Sequence, residues 1–303
     1  MIRILVTTIK RGYPVEESGC AYIVDWERET IINKIGMLPL NAKIPRNPRG
    51  GIRGLRGACK FKEYILIATN DTVSVLDRYL ELRGTINNKY FCNLHELKKF
   101  GNSVYAVSCG KDCIVDVISG YTVLDLQPHS SLGLDNLYNR NIRYDNIDRH
   151  GVWRPNSIAK YKGNFIISLA AENRIVSEQC DSARVDIVPS EFVDKPHSVR
   201  VIGDDIYFAS SSKRTVFRYV MDYHDLIPLY YDEKPFWFRD TELNRWGWLR
   251  GMDIIDEENF FVGSSPYARI INFDRKGNKK GEMKLSNVKS ESVSEVVVLD
   301  YIN

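Results

Sequence analysis

Histidines, arginines and glutamates recur at matching places in stretches of this sequence that lie far apart. "NLHELKKFGNSVYAV" carries His95 and Glu96, "KPHSVRVIGDDIYFAS" carries His197 and Ser198, and "WRPNSIAKY" carries Asn156 and Ser157. "RGLRGACKF" carries Arg56, "WLRGMDI" carries Arg250, and "ESVSEVVVLDY" carries Ser294 and Glu295. Imidazoles change charge near neutral pH and can move a proton. Guanidinium groups fork onto carboxylates and phosphates. Facing one cavity, His95 and His197 would serve as acid and base, with Glu96 orienting one of them. Arg56 and Arg250 would clamp an anion whose charge grows during reaction. Asn156, Ser198 and Glu295 would complete the binding surface. That set suits a lyase, epimerase or hydrolase acting on a small anionic or carbohydrate-like substrate. The same set would also serve a noncatalytic ligand- or protein-binding module, and polar residues can line a channel with no ligand at all. No cofactor is required. A divalent ion on the axis is a further option, because His95, Glu96, His197 and Glu295 are nitrogen and oxygen ligands; Arg56 and Arg250 oppose it by charge repulsion.

Side chains so distant in the chain meet only if repeated elements present them to one place. The stretch around His197 is such an element: a polar entry, an apolar strand, a Gly-centred turn, a second strand, a polar turn and a third strand. "RGLRGACKFKEYILIATNDTVSVLDR", "NLHELKKFGNSVYAVSCGKDCIVDVI", "WRPNSIAKYKGNFIISLAAENRIVSE" and "WGWLRGMDIIDEENFFVGSSPYARIINFD" follow the same order. A sixth unit is split. The chain ends with a first strand in "ESVSEVVVLDYIN" and begins with three later strands in "MIRILVTTIK", "GCAYIVDWE" and "TIINKIGML". Joining the two ends in one sheet removes a free edge, as radial β-repeats do. Units of roughly 40 to 65 residues fall in the propeller range. The expectation is therefore all-β: one six-bladed β-propeller over 1–303, closed by pairing the C-terminal strand with the N-terminal strands, with five or seven blades as alternatives. First strands line a propeller's channel, so Arg56, His95, Asn156, His197, Arg250 and Ser294 should form one ring near the mouth. The next positions, Gly57, Glu96, Ser157, Ser198, Gly251 and Glu295, should form a second.

Long inserts, about 37–52, 127–152, 180–195 and 231–248, fall between units and so on the face carrying the ring. Loops of that length are usually binding elements or lids. "YYDEKPFWFRDTELNRWGW" brings Trp237 and Trp246, flat walls suited to a sugar-like ligand. Asn70, Asp71, Asp112 and Asn173 read as turn formers that bond their own backbone. Ser210, Ser211 and Ser212 sit in no nucleophile-elbow pattern, and "RGGIRGLRG" lacks the Lys-Ser that a phosphate loop needs.

The blade openings "LHELKKFGNSVYAV", "RPNSIA", "KPHSVRVIGDDIYFASS" and "WLRGMDI" resemble a poorly characterised bacterial β-propeller family. Its blades open with His-Asp-Leu-Ala, Asn-Gly-Leu-Ala, Pro-His-Ser-Pro-Arg and Arg-Gly-Leu-Ala. The resemblance spans about 94–265 and places His95, Asn156, Pro196, His197, Ser198, Arg250 and Gly251 at the family's recurring positions. Glu96, Ser157 and Val199 depart from it. It implies the fold and the ring but no reaction. More distantly the units are similar to six-bladed lactonase and strictosidine-synthase-like propellers, without reproducing their carboxylate and asparagine metal ligands.

Composition excludes several classes. Hydrophobic residues make up 44% and charged residues 27% of the 303 residues, as in an ordinary globule. Basic and acidic residues, 42 and 39, are interspersed, so no field directed at nucleic acid or an anionic membrane is expected. No signal-peptide pattern opens the chain and no apolar run would span a membrane, which sets the expectation of a cytoplasmic protein. Cys20, Cys59, Cys92, Cys109, Cys113 and Cys180 are scattered and read as free thiols.

Overall fold

A computed structural model describes residues 1–41, 54–126, 153–178, 184–188, 190–232 and 248–301. Much of the inserts, with Trp237 and Trp246, lies outside these residues. In chain order the strands begin with β1 (Ile2–Lys10), β2 (Ala21–Asp25) and β3 (Thr30–Ile35). The first complete blade is β4 (Ala58–Phe61), β5 (Tyr64–Ala68), β6 (Thr72–Leu76) and β7 (Leu82–Asn87). The second is β8 (Leu94–Phe100), β9 (Ser103–Ser108), β10 (Cys113–Asp116) and β11 (Thr122–Asp125). The third is β12 (Pro155–Tyr161), β13 (Asn164–Leu169), β14 (Arg174–Glu178) and β15 (Arg184–Asp186). The fourth is β16 (Pro196–Ile202), β17 (Asp205–Ser210), β18 (Thr215–Val220) and β19 (Asp225–Tyr231). The fifth is β20 (Leu249–Asp256), β21 (Asn259–Ser264), β22 (Arg269–Phe273) and β23 (Lys279–Lys284). The last strand, β24 (Glu291–Tyr301), pairs with β1 and makes the sixth blade, in the order β24-β1-β2-β3.

Each blade is an antiparallel four-stranded sheet, and the inner strands β4, β8, β12, β16, β20 and β24 touch in cyclic order. The molecule is thus the six-bladed all-β propeller the repeats predict. Burial follows position in the blade. Second and third strands are buried on both faces, as in β17, where every residue is buried, because each blade is sandwiched between two others. Outer strands such as β3 and β7 are largely exposed, apolar residues such as Ile31, Ile32 and Leu82 included. Among the described residues the apolar side chains do not gather in one central core. Instead six apolar clusters occupy the six seams between neighbouring blades. Leu5, Ile23, Leu55 and Ile67 fill the seam between the split blade and the first complete one.

Three of the long stretches, 37–52, 127–152 and 231–248, fall between an outer strand and the next inner strand. The stretch 180–195 is less of an insert than its length suggests, since it contains β15 and a 3-10 turn at Ser190–Phe192. Among the described residues no helix is long and apolar enough to cross a membrane. Cys59, Cys109 and Cys113 are buried free thiols, their pKa values pushed up by burial to about 12, 11 and 12.

Candidate functional site

Five inner strands break their ladder at the same depth. The register slips between Leu94 and Leu97, between Pro155 and Ser157, between His197 and Arg200, between Arg250 and Met252, and around Ser294 on β24. Each slip is a β-bulge, which bends the strand and re-aims the side chains within it. Ser198 (φ 56°) and Gly251 (φ 65°) take up the left-handed backbone that the bulge requires. As a result His95, Glu96, Asn156, Ser157, His197, Ser198, Arg250, Ser294 and Glu295 line one narrow cavity, although they come from five blades. Its volume is about 10 Å³, room for roughly one water.

Arg56 does not join them. It is 1% exposed, and its guanidinium donates to Asn93 Oδ1 at 2.5 Å and to the Leu94 carbonyl at 3.1 Å. Fixed acceptors in the seam between the first two complete blades hold it there, so the expected pair of clamping arginines reduces to Arg250.

In the ring nearest the mouth, His197 is 6% exposed and is bonded at both nitrogens. Nδ1 lies 2.8 Å from the Lys195 carbonyl and 2.9 Å from Ser211 Oγ, while that hydroxyl donates to the Leu249 carbonyl at 2.7 Å. A carbonyl only accepts, so Nδ1 carries the proton and Nε2 carries the lone pair. Asn156 Nδ2, 3.0 Å away, donates to it. Burial, and then the Arg250 charge, hold the imidazole well below the ordinary histidine pKa, which keeps it neutral. His95 is less buried, its ring centroid 6.2 Å from that of His197.

The second ring latches blade to blade. Glu96 Oε2 accepts the Ile158 N–H at 2.7 Å, Ser157 Oγ accepts the Val199 N–H at 3.0 Å, and Ser198 Oγ accepts the Gly251 N–H at 2.9 Å. Every one of these bonds crosses a seam. The two glycines of the ring allow backbones to meet. A Cβ on Gly57 would stand 2.3 Å from Leu97 N, and one on Gly251 would stand 2.5 Å from Glu295 Cα. The second oxygen of Glu96 accepts from Arg200 Nη1 at 2.7 Å, so Glu96 spends its acceptors on Ile158 and Arg200 rather than on orienting His95.

Arg200, absent from the expected set, ties the channel together one layer deeper. It spans from β16 to Glu96 of the second blade and, at 3.4 Å, to Glu295 of the sixth. At equivalent depth Lys98 pairs with Asp253 at 3.9 Å. Burial, with the Glu96 charge adding to it, raises the Glu295 carboxyl to about 8, against the pull of Arg200 and Lys98. The Arg200 guanidinium bridges the two carboxylates that an axial cation would need, and among the described residues no three His, Cys, Asp or Glu side chains form a metal-holding group.

At the mouth stands Trp248. The Arg250 guanidinium lies 4.5 Å from its ring centroid, Lys195 Nζ 5.4 Å and the Arg11 guanidinium 5.5 Å. Asp112 (φ 47°) and Asn173 (φ 56°) take a left-handed turn conformation, but their side chains reach the next blade rather than bonding their own backbone as expected. Asp112 accepts the Trp153 and Arg154 N–H groups, Asn173 Oδ1 accepts the Lys195 N–H at 2.9 Å, and the Asn70 carbonyl accepts the Leu94 N–H at 3.0 Å. They join one blade to the entry of the next.

No protein-family model and no curated protein matches the sequence. Solved structures do match. A protein of unknown function from Bacteroides caccae is 10% identical, with 99% of this chain and 100% of that one covered and a TM-score of 0.60. A chain of a nidogen/laminin complex is 10% identical, with 98% of each covered and a TM-score of 0.61. Virginiamycin B lyase from Staphylococcus aureus is 12% identical over 77% of this chain and 70% of that one, with a TM-score of 0.50. At such identities the likeness is one of architecture, and the chain is a six-bladed β-propeller.

Proposed function

We propose that the protein is an enzyme that admits one small group of an anionic or sugar-acid substrate into the channel mouth and transfers a proton there. The observation that carries this reading is the convergence of His95, Asn156, His197 and Arg250, from four blades, on one cavity. Arg250 supplies a permanent charge for a carboxylate or phosphoryl oxygen. His95, the more accessible imidazole, is the proton-transfer group. His197 is a positioning residue: its Nδ1 is fixed by Lys195 and Ser211, and its Nε2 holds the Asn156 amide toward the cavity. That one solved structure of similar architecture is named a lyase supports an enzymatic reading by analogy of fold alone.

A second reading, a noncatalytic binding module, is favoured by one specific observation. Both nitrogens of His197 and both oxygens of Glu96 are engaged within the protein, which takes these two side chains out of proton transfer. The two readings separate in a hydrogen-exchange assay. Small carboxylates and uronates are incubated with the protein in D2O and followed by NMR, with binding measured in parallel. Catalysis predicts exchange or turnover that falls about 100-fold or more in His95→Gln while affinity stays within a few-fold. Binding with no exchange in the parent protein, and no effect of His95→Gln, would leave the module.

A further inference from the structure

The seam between the split blade and the first complete blade is tied at its inner and outer strands and open between them. At the inner strands Lys60 Nζ of β4 donates to the Leu299 carbonyl at 3.0 Å and to Asp300 at 2.6 Å, both on β24. These residues stand at the far ends of their strands, so the tie lies on the face opposite the mouth. At the outer strands the Asn33 amide of β3 donates to the Tyr79 carbonyl, in the turn between β6 and β7. Between the two ties lies a cavity of about 420 Å³, against about 10 Å³ for the one at the mouth. That volume is in the range of small-molecule sites, which are mostly apolar with a few placed polar groups. Ile23 and Ile65, 4% and 3% exposed, give the cavity a rigid floor, since both belong to the core cluster of this seam and Leu299 packs on it. Ile32, Tyr64 and Tyr79, three of the large apolar side chains that folding leaves exposed, share the same lining.

Five charged side chains also line it. Lys60 and Asp300 neutralise each other. Arg78 gives one N–H to the Tyr79 hydroxyl at 2.8 Å and lies 4.8 Å from the centroid of that ring, so its guanidinium is held on the tyrosine wall. Arg3, on β1, is exposed, and among the described residues no carboxylate pairs with Arg3 or Arg78. Against these two stands Glu63 alone. The lining thus carries one positive charge in excess, which suits one carboxylate, whereas a second would meet the repulsion of Glu63. We infer that this cavity is a second ligand site, which takes a small aromatic monocarboxylate: its flat apolar body packs against Tyr64 and Tyr79 over the isoleucine floor, and its carboxylate meets Arg3 and Arg78. The site shares no residue with the mouth cavity and does not depend on what happens there.

The test uses the full chain and ligand-observed NMR with naphthoate, naphthylmethanol, hexanoate and naphthalene dicarboxylate as probes. Naphthoate should bind about fivefold more tightly than the uncharged alcohol of the same body, a margin set by a solvent-exposed ion pair, and about tenfold more tightly than hexanoate. The dicarboxylate should bind more weakly than the monoacid. Arg3→Gln should remove the margin of naphthoate over the alcohol. Ile32→Trp, a larger side chain at an exposed position of the lining, should abolish binding of both, and melting temperatures check that both variants fold. Equal binding of naphthoate and the alcohol, indifferent to Arg3→Gln, would overturn the inference and leave an apolar hollow fit for a side chain of a protein partner. Hexanoate or the dicarboxylate binding as tightly as naphthoate would overturn the ligand class. Binding that survives Ile32→Trp in a folded protein would place the ligand elsewhere, and binding of none of the probes would remove the site; each overturns the inference. His95→Gln at the mouth should change none of these affinities, so this site and the proposed reaction stand or fall separately.

Discussion

Glu295 offers the most direct test of the layered channel. Its carboxyl is 3% exposed and titrates at about 8 against an ordinary 4.5, chiefly because burial disfavours the charge. Between those values the folded chain holds a proton that the unfolded chain has released. The stabilisation from this group is therefore complete below about pH 4.5 and is lost as the pH rises through about 8. At ~1.4 kcal/mol for each unit, the window is worth about 5 kcal/mol. Glu295→Gln keeps an uncharged group in place, and its amide oxygen can still accept the Val296 N–H, but it cannot ionise. Unfolding free energies of parent and variant, from urea titrations at several pH values from about 5 to 9, give a difference curve. That curve should drift in the variant's favour by several kcal/mol as the pH rises. Taking the difference removes the opposite contribution of His197, whose lowered pKa gives stability that is present above the ordinary histidine value and lost as pH falls below it. A flat difference curve would refute the claim that burial, with the Glu96 charge adding to it, keeps the Glu295 carboxyl protonated near neutral pH.

Other consequences are simpler to measure. His197→Ala strands the Asn156 amide and the Lys195 carbonyl in a buried site, and should cost about 2 to 4 kcal/mol, seen as a fall of several degrees in melting temperature. Gly251→Ala would push a methyl group against the Glu295 backbone from a left-handed position. It should cost about 3 kcal/mol or more, or prevent soluble expression, whereas Gly84→Ala on β7, with nothing within 4 Å, should stay within about 0.5 kcal/mol in the same melts.

The architecture was legible because it is written six times. Repeated strand-turn-strand units, and a sixth divided between the chain ends, specify a closed ring whichever strand propensities are assumed. The ring of entrance residues was legible for the same reason, and His95, Asn156, His197, Arg250 and Ser294 do meet. What failed was the partner of each charge. Arg56 turns into a seam because Asn93, an unremarkable loop residue in sequence, presents an oxygen there. Glu96 bonds an N–H sixty-two residues away, a backbone group that no side-chain pattern reveals. Arg200 did leave a signal. It is a charge inside the apolar "SVRVI", and Lys98 and Asp253 stand at the same offset in their own blades. Bulges hid it, since one extra residue per strand inverts the inward and outward alternation from which channel-facing positions are read.

The pairing of β1 with β24 has a consequence for how the chain is made. Thr8 hydrogen-bonds to Glu291 across 283 residues of sequence, so during translation at 5 to 20 residues per second the bare edge of β1 waits roughly 15 to 60 s for its mate. Through that interval "IRILVTTIK" is a largely apolar strand paired on one edge with β2 and bare on the other, open to any other nascent strand of the same kind. Ring closure, once β24 has been made, is thus both the step that seals the propeller and the step most exposed to crowding and to the supply of chaperones.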